Sequence, residues 1–317
     1  MWNINLDNPE GSFCFDSMML ALLKHYGLES KLYLLKKYYS SYISGSGLLA
    51  ERLKISDETV SVKVLRELIG VELKYREKKD ISDIYSFLVS ELEKYPVGVF
   101  ADPFYCSWTP LYNKAHFNHY FLILHIDNRS RHCTCGDIYY PGTGLISIPV
   151  DELLELGKWF VSAEPGPPPD LTKEAVFSVM NETIFIDHEE AINEERLTFM
   201  KLLEENFDIS AEIGDISNAD ISKLLLKLKI IAEDKYSFIQ GLQYVEKKFG
   251  PSGFQNVCTD ILASADKFEF LKGFLIKSTI KNRLDMDKLK QIINNIYDLD
   301  ISITNAMKKL LSRKGSI

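Results

Sequence analysis

The sequence has no excess of positive charge. Lysine and arginine number 37 against 45 aspartates and glutamates, a formal net charge of −8. A surface of that sign does not neutralise phosphates, which argues against broad nucleic-acid binding. No run approaches the roughly 20 apolar residues that a membrane span needs. The first residues, MWNINLDNPEG, carry neither the basic flank nor the apolar stretch of a secretory signal, so a cytoplasmic setting is expected. The five cysteines are odd in number and irregular in spacing. They make no disulfide framework, and reduced thiols are their default state. Proline is sparse except at Glu164–Pro169, EPGPPP, and no internal repeat is visible. What remains is ordinary for a globular chain: 46% apolar and 26% charged residues. At 317 residues two domains are expected.

The first half mixes two periodicities. From Cys14 to Tyr26 apolar residues recur at helical spacing, and Gly27 supplies a stop. Helices are also expected over 29–44, 55–70 (with Ser56 as N-cap) and 80–95, which Pro96 ends. Strands are expected at 71–77, 97–102, 119–126 and 133–139, with a hairpin turn at 127–131. The stretch from Leu145 reads as a short strand running into a helix that starts near Pro149–Asp151. This order predicts an α+β domain over 1–164, a proline-rich linker at 165–170 and an all-helical domain over 171–317. In the last region helical patterns cover 172–182, 189–206, 219–247, 253–275 and 284–312. The helical domain is expected to be an accessory unit that shapes the cleft of the first.

Thiol chemistry needs a thiolate, a proton carrier beside it and a group that holds the imidazole. Cys14 falls at the start of a helix, where free N–H groups and the positive end of the dipole favour a thiolate. Position alone also allows a small buried hydrophobe there. His119 opens the apolar run YFLILHI, and Asp137 lies on the next strand, which the turn folds back alongside. The order Cys, His, acid is that of papain-like enzymes. Asn8, six residues before Cys14, is a further candidate, as an oxyanion-stabilising amide beside the Cys14 N–H. Asp102, Tyr105, Tyr112 and His116 are candidates for lining a substrate cleft. Competing readings are zinc held by His116, His119, Cys133 and Cys135, and Cys106 as a rival nucleophile. The Cys-x-Cys spacing is not the usual zinc pattern, and no helix follows Cys106.

At these residues the sequence resembles a known family. The pattern Asp102, Tyr105, Tyr112, His116, His119, Tyr120, then an apolar strand, a turn and Asp137, is similar to the N-terminal domain of butirosin biosynthesis protein H. The upstream SFCFDSMMLALLKHYGL resembles that family's cysteine-headed first helix. The likeness covers about residues 8–160 and departs from the family at Cys106-Ser107-Trp108. It implies a papain-like cysteine-peptidase fold and an acyltransferase of antibiotic or other secondary metabolism. An acyl group would leave the phosphopantetheine arm of an acyl carrier protein or peptidyl carrier domain. It would pass through Cys14 to a small-molecule amine acceptor, with His119 as base and acid and Asp137 as orienter. No bound cofactor, metal, nucleic acid or membrane is expected. Lys36–Lys37 and Lys308–Lys314 are candidate landing patches for an acidic carrier. A papain-like peptidase or amidase, and an inactive binding protein of the same fold, remain open alternatives.

Overall fold

The computed structural model describes residues 1–4, 6, 13–38, 41–42, 47–54, 58–138, 144–184, 207–214 and 222–312. The chain forms two compact units: Met1–Ser30 with Leu65–Pro169, and Lys31–Val64 with Asp170–Ile317. Residues 31–64, which sequence order places in the first domain, therefore cluster with the helices. Proximity in sequence does not decide which apolar face a segment covers.

The first unit is an α+β domain built on a six-stranded antiparallel sheet. In chain order its strands are β1 Val71–Glu77, β2 Val97–Ala101, β3 His119–Asp127, β4 His132–Gly136, β5 Leu145–Pro149 and β6 Trp159–Pro165. Their order across the sheet is β1-β6-β2-β3-β4-β5. Sequence pattern gives no sign of β6, whose residues read as the end of a helix and the start of a linker. It nevertheless pairs with β1 on one side and β2 on the other. Of the expected linker, Pro165 closes β6, and Gly166 N–H donates to the Gly70 carbonyl at 2.7 Å.

Helix α1, Cys14–His25, packs on β3. It ends in a Schellman closure: Leu28 N–H donates to Leu23 O and Gly27 N–H to Lys24 O, with Gly27 at φ +69°. That left-handed backbone is the reason for a glycine there. Met18, Met19, Leu22 and Leu23 are all buried, each contributing about 1.5–3 kcal/mol of apolar burial. The close approach of the helix depends on Gly98 in β2. A Cβ at that position would stand 2.6 Å from Val161 Cγ1 and 2.8 Å from Met18 Sδ. A second apolar cluster joins Val97, Val99, Phe121, Ile123, Cys133 and Cys135 of the sheet to Leu88 of α2, Ile84–Leu92, and Leu153 of α3, Val150–Leu156.

The second unit is mostly helical: α4 Lys173–Ile184, α5 Lys223–Phe249, α6 Phe254–Ile280 and α7 Met286–Leu311. The apolar periods over 219–247, 253–275 and 284–312 correspond to the last three. The expected helix at 189–206 and the Ser56 cap lie outside the described residues. The expected helix at 29–44 is instead a 3-10 stretch, Ser30–Tyr38, followed by a two-residue strand, Ser41–Tyr42, paired with Leu53–Lys54. The 3-10 stretch lies close against α5 at Gly241, where a Cβ would meet Leu35 Cδ2 at 3.1 Å. Lys36 is buried, with its ammonium donating to Ser61 Oγ at 3.1 Å, so it presents no landing surface.

Candidate active site

Three elements meet at one end of the sheet. Helix α1 begins at Cys14, so the thiol stands over the helix's first turn, with its Sγ 3.9 Å from the Asn118 carbonyl oxygen. Strand β3 begins at His119, which pairs with Ala101 of β2. Asp137 stands one step beyond the Leu122–Gly136 pair of the β3–β4 ladder, which sets it opposite Phe121. His119 is two residues before Phe121, and a strand returns to the same face every two residues. The imidazole and the carboxylate therefore share a face, and His119 Nε2 lies 2.6 Å from Asp137 Oδ2. Both side chains are almost wholly buried.

The Cys14 side chain lies near enough to influence the same ring electrostatically. Burial opposes charge on the ring. The hydrogen bond with Asp137 and that carboxylate's charge, with a contribution from Cys14, outweigh it, and the pKa is pushed up to about 10. The ring is a cation at neutral pH. His119 and Asp137 are brought together, and the Cys14 sulfur lies beside the carbonyl of Asn118, the residue before His119.

The other candidates fall elsewhere. Asn8 lies outside the described residues. Asp102 caps the turn after β2: its Oδ1 accepts from Phe104 N–H at 3.1 Å, and its Oδ2 is 2.7 Å from His116 Nδ1. Desolvation works against that carboxylate's charge, but the bonds from His116 and the loop amides hold its pKa below the usual range. The His116 ring stacks on Phe104 at 4.2 Å. Tyr105 and Tyr112 are 55% and 41% exposed, beside this loop rather than against Cys14's partners. His116 and His119 take different carboxylates. Among the described residues no group of three or more His, Cys, Asp or Glu is placed to hold a metal ion.

Cys106 is fully buried, its thiol donating to the Asp102 carbonyl. Burial and the charges of Asp137, Asp102 and Glu152 push its pKa up to about 12. Burial likewise raises Cys133 to about 12 and Cys258 to about 11, and it holds Cys135 well above the ordinary thiol value. These thiols are held neutral, as structural cysteines are.

One member of the cluster has no counterpart in the sequence reading. Trp108 Nε1 donates to Asp137 Oδ2 at 2.7 Å, the same oxygen that holds His119. Its ring meets Phe121 edge-on at 5.6 Å. The signal available was that an indole N–H seeks a partner when buried. Nothing in sequence says which partner. Comparison of the chain with protein-family models and with curated proteins gives no match.

Proposed function

We propose that the chain is a cysteine-dependent acyltransferase in which Cys14 is the nucleophile, His119 the proton carrier and Asp137 the group that orients it. The observation that carries this reading is the buried His119 ring 2.6 Å from Asp137, with the Cys14 thiol at a helix start, 3.9 Å from the carbonyl of the residue before that histidine. A nearby imidazolium and a helix N-terminus are the surroundings in which reactive cysteines are found.

The donor is a thioester, presented on the phosphopantetheine arm of a carrier protein. The Cys14 thiolate attacks its carbonyl carbon and forms a new C–S bond. The old C–S bond breaks, and the departing thiolate takes the proton from His119. In this reading the Cys14 backbone N–H, at the helix start, stabilises the developing oxyanion. Acylation removes the sulfur's negative charge, one of the groups that keep the His119 pKa high. The ring becomes easier to deprotonate and is the neutral base that the second half needs. An amine then attacks the acyl-cysteine, loses a proton to His119, and leaves as an amide as the C–S bond breaks, regenerating the thiolate and the protonated ring.

The test begins with limiting iodoacetamide at mildly acidic pH, read by peptide mass mapping. Cys14 is expected to label at least tenfold faster than Cys106 or Cys258, and His119→Ala to remove the advantage. Incubation with acyl-pantetheine thioesters should then add one acyl mass to Cys14, discharged by added amines. Discharge by water at the same rate with or without amine would make the chemistry hydrolysis. If Cys14 labels no faster than the buried thiols, the catalytic reading is lost.

A further inference from the structure

We propose that Trp108 is a positioning residue for this site: its indole N–H shares the Asp137 Oδ2 oxygen with the His119 ring, fixing the carboxylate's rotation and keeping it an acceptor. The inference deepens the Cys14 reading and takes its catalytic meaning from it, but the coupling among the three side chains stands on geometry alone.

Two N–H donors meet one oxygen, at 2.6 Å from His119 and 2.7 Å from Trp108. A carboxylate that accepts N–H bonds is stabilised in its charged form. The second donor therefore draws off part of the charge that would otherwise act on the imidazole alone. That balance matters in the second half of the proposed cycle, when the ring must be neutral to accept the amine's proton. Packing holds the donor in place: the indole stands edge-on to Phe121 at 89°, and Phe121 in turn flanks His119 at 6.0 Å. The indole comes from the 102–118 loop, which Asp102 and Thr109 tie down. Thr109 Oγ1 donates to the Pro103 and Cys106 carbonyls at 3.0 and 3.1 Å.

The titratable groups around the ring are few. Cys14 approaches from α1, and Asp137 follows β4. Cys106 from the loop and Cys135 from β4 feel the Asp137 charge, but burial keeps both as neutral thiols. A change at Trp108 therefore reaches His119 through Asp137.

The experiment is an NMR titration of the full chain with ¹⁵N-labelled histidine and tryptophan, on the wild type, Trp108→Phe and Asp137→Asn. Trp108→Phe keeps an aromatic ring against Phe121 and removes only the N–H. With the carboxylate's charge undivided, the His119 midpoint is expected to rise by about 0.5–1 unit. In the wild type the Trp108 indole resonance should move with the His119 midpoint, and Asp137→Asn should abolish that movement. This second measurement decides the matter even if Trp108→Phe fails to fold. An unchanged His119 midpoint in a folded Trp108→Phe, or an indole resonance that ignores His119, overturns the proposal. Iodoacetamide labelling of the same samples separates the two readings. A shifted midpoint with an unreactive Cys14 overturns the acyl-transfer reading and leaves the Trp108 assignment standing. In thioester assays Trp108→Phe should move the pH profile of transfer from acyl-Cys14 to amine upward with the His119 midpoint.

Discussion

The first unit holds two aspartate–histidine pairs, three residues apart at the histidine, with nearly the same separation. Asp102 meets His116 at 2.7 Å and Asp137 meets His119 at 2.6 Å. The His116 side chain is 61% exposed and the His119 side chain 1%. In water-facing surroundings an ion pair is screened and worth little. Out of water the same pair controls a proton, and at His119 it does so next to a thiol. The lesson is that pairing alone does not identify a catalytic histidine. Burial separates the two pairs, and the residue before His119 presents its carbonyl 3.9 Å from the Cys14 sulfur, while the His116 ring stacks on Phe104.

The comparison is broken most sharply by removing each carboxylate. Asp137→Ala strands a buried cationic ring and is expected to cost about 3–5 kcal/mol in urea unfolding. The pH dependence has a definite sign. Folded His119 keeps its second proton to about pH 10, against 6.5 for an ordinary histidine. Its contribution to stability is complete below about pH 6.5 and is lost as pH rises toward 10. The raised thiols Cys106 and Cys133 act in the same direction, but only above their ordinary 9.0. The fall in stability between pH 6.5 and 9 is therefore assigned to His119, and Asp137→Ala should flatten it. Unfolding midpoints measured across that range check this. A slope that persists in the variant would place its source elsewhere.

Gly98→Ala moves one pair's surroundings without touching the other. The added methyl meets Met18 and Val161 and should cost about 1–3 kcal/mol by overpacking. Because Met18 is one turn along α1 from Cys14, the labelling rate of Cys14 should fall as well. Asp102→Ala removes the acceptor for Phe104 N–H near the surface, where water can substitute, so about 1 kcal/mol is expected. His116→Ala should shift stability by less than about 0.5 kcal/mol and leave Cys14 labelling unchanged. If His116→Ala slows Cys14 as much as His119→Ala does, the two pairs are not functionally distinct.

Much of the site was legible because it rests on local rules. A helix start, the first residue of an apolar strand and a hairpin turn can each be read from spacing, and they place Cys14, His119 and Asp137 at element ends. The strand β6 was not legible. Trp159–Pro165 runs from a lysine and tryptophan into prolines, and its strand state comes from being paired on both sides, by β1 and β2. The 3-10 stretch Ser30–Tyr38 was misread as an α-helix for a related reason: its Leu, Tyr and Lys residues suit either helix, and close packing near Gly241 accompanies the tighter one.

The sequence by itself determined the elements of α1 and of most strands, the antiparallel α+β character of the first half, the helical second half, and the choice of candidate thiol, imidazole and carboxylate. These follow from periodicity, capping and chemistry that act within a few residues. Only the tertiary structure decided which histidine is buried, that Cys106, Cys133 and Cys135 are held neutral, that residues 31–64 cluster with the helices, and that Trp108 shares the Asp137 oxygen. Each of those depends on what residues far apart in sequence do to the local dielectric and to one another's lone pairs, and no local pattern encodes it.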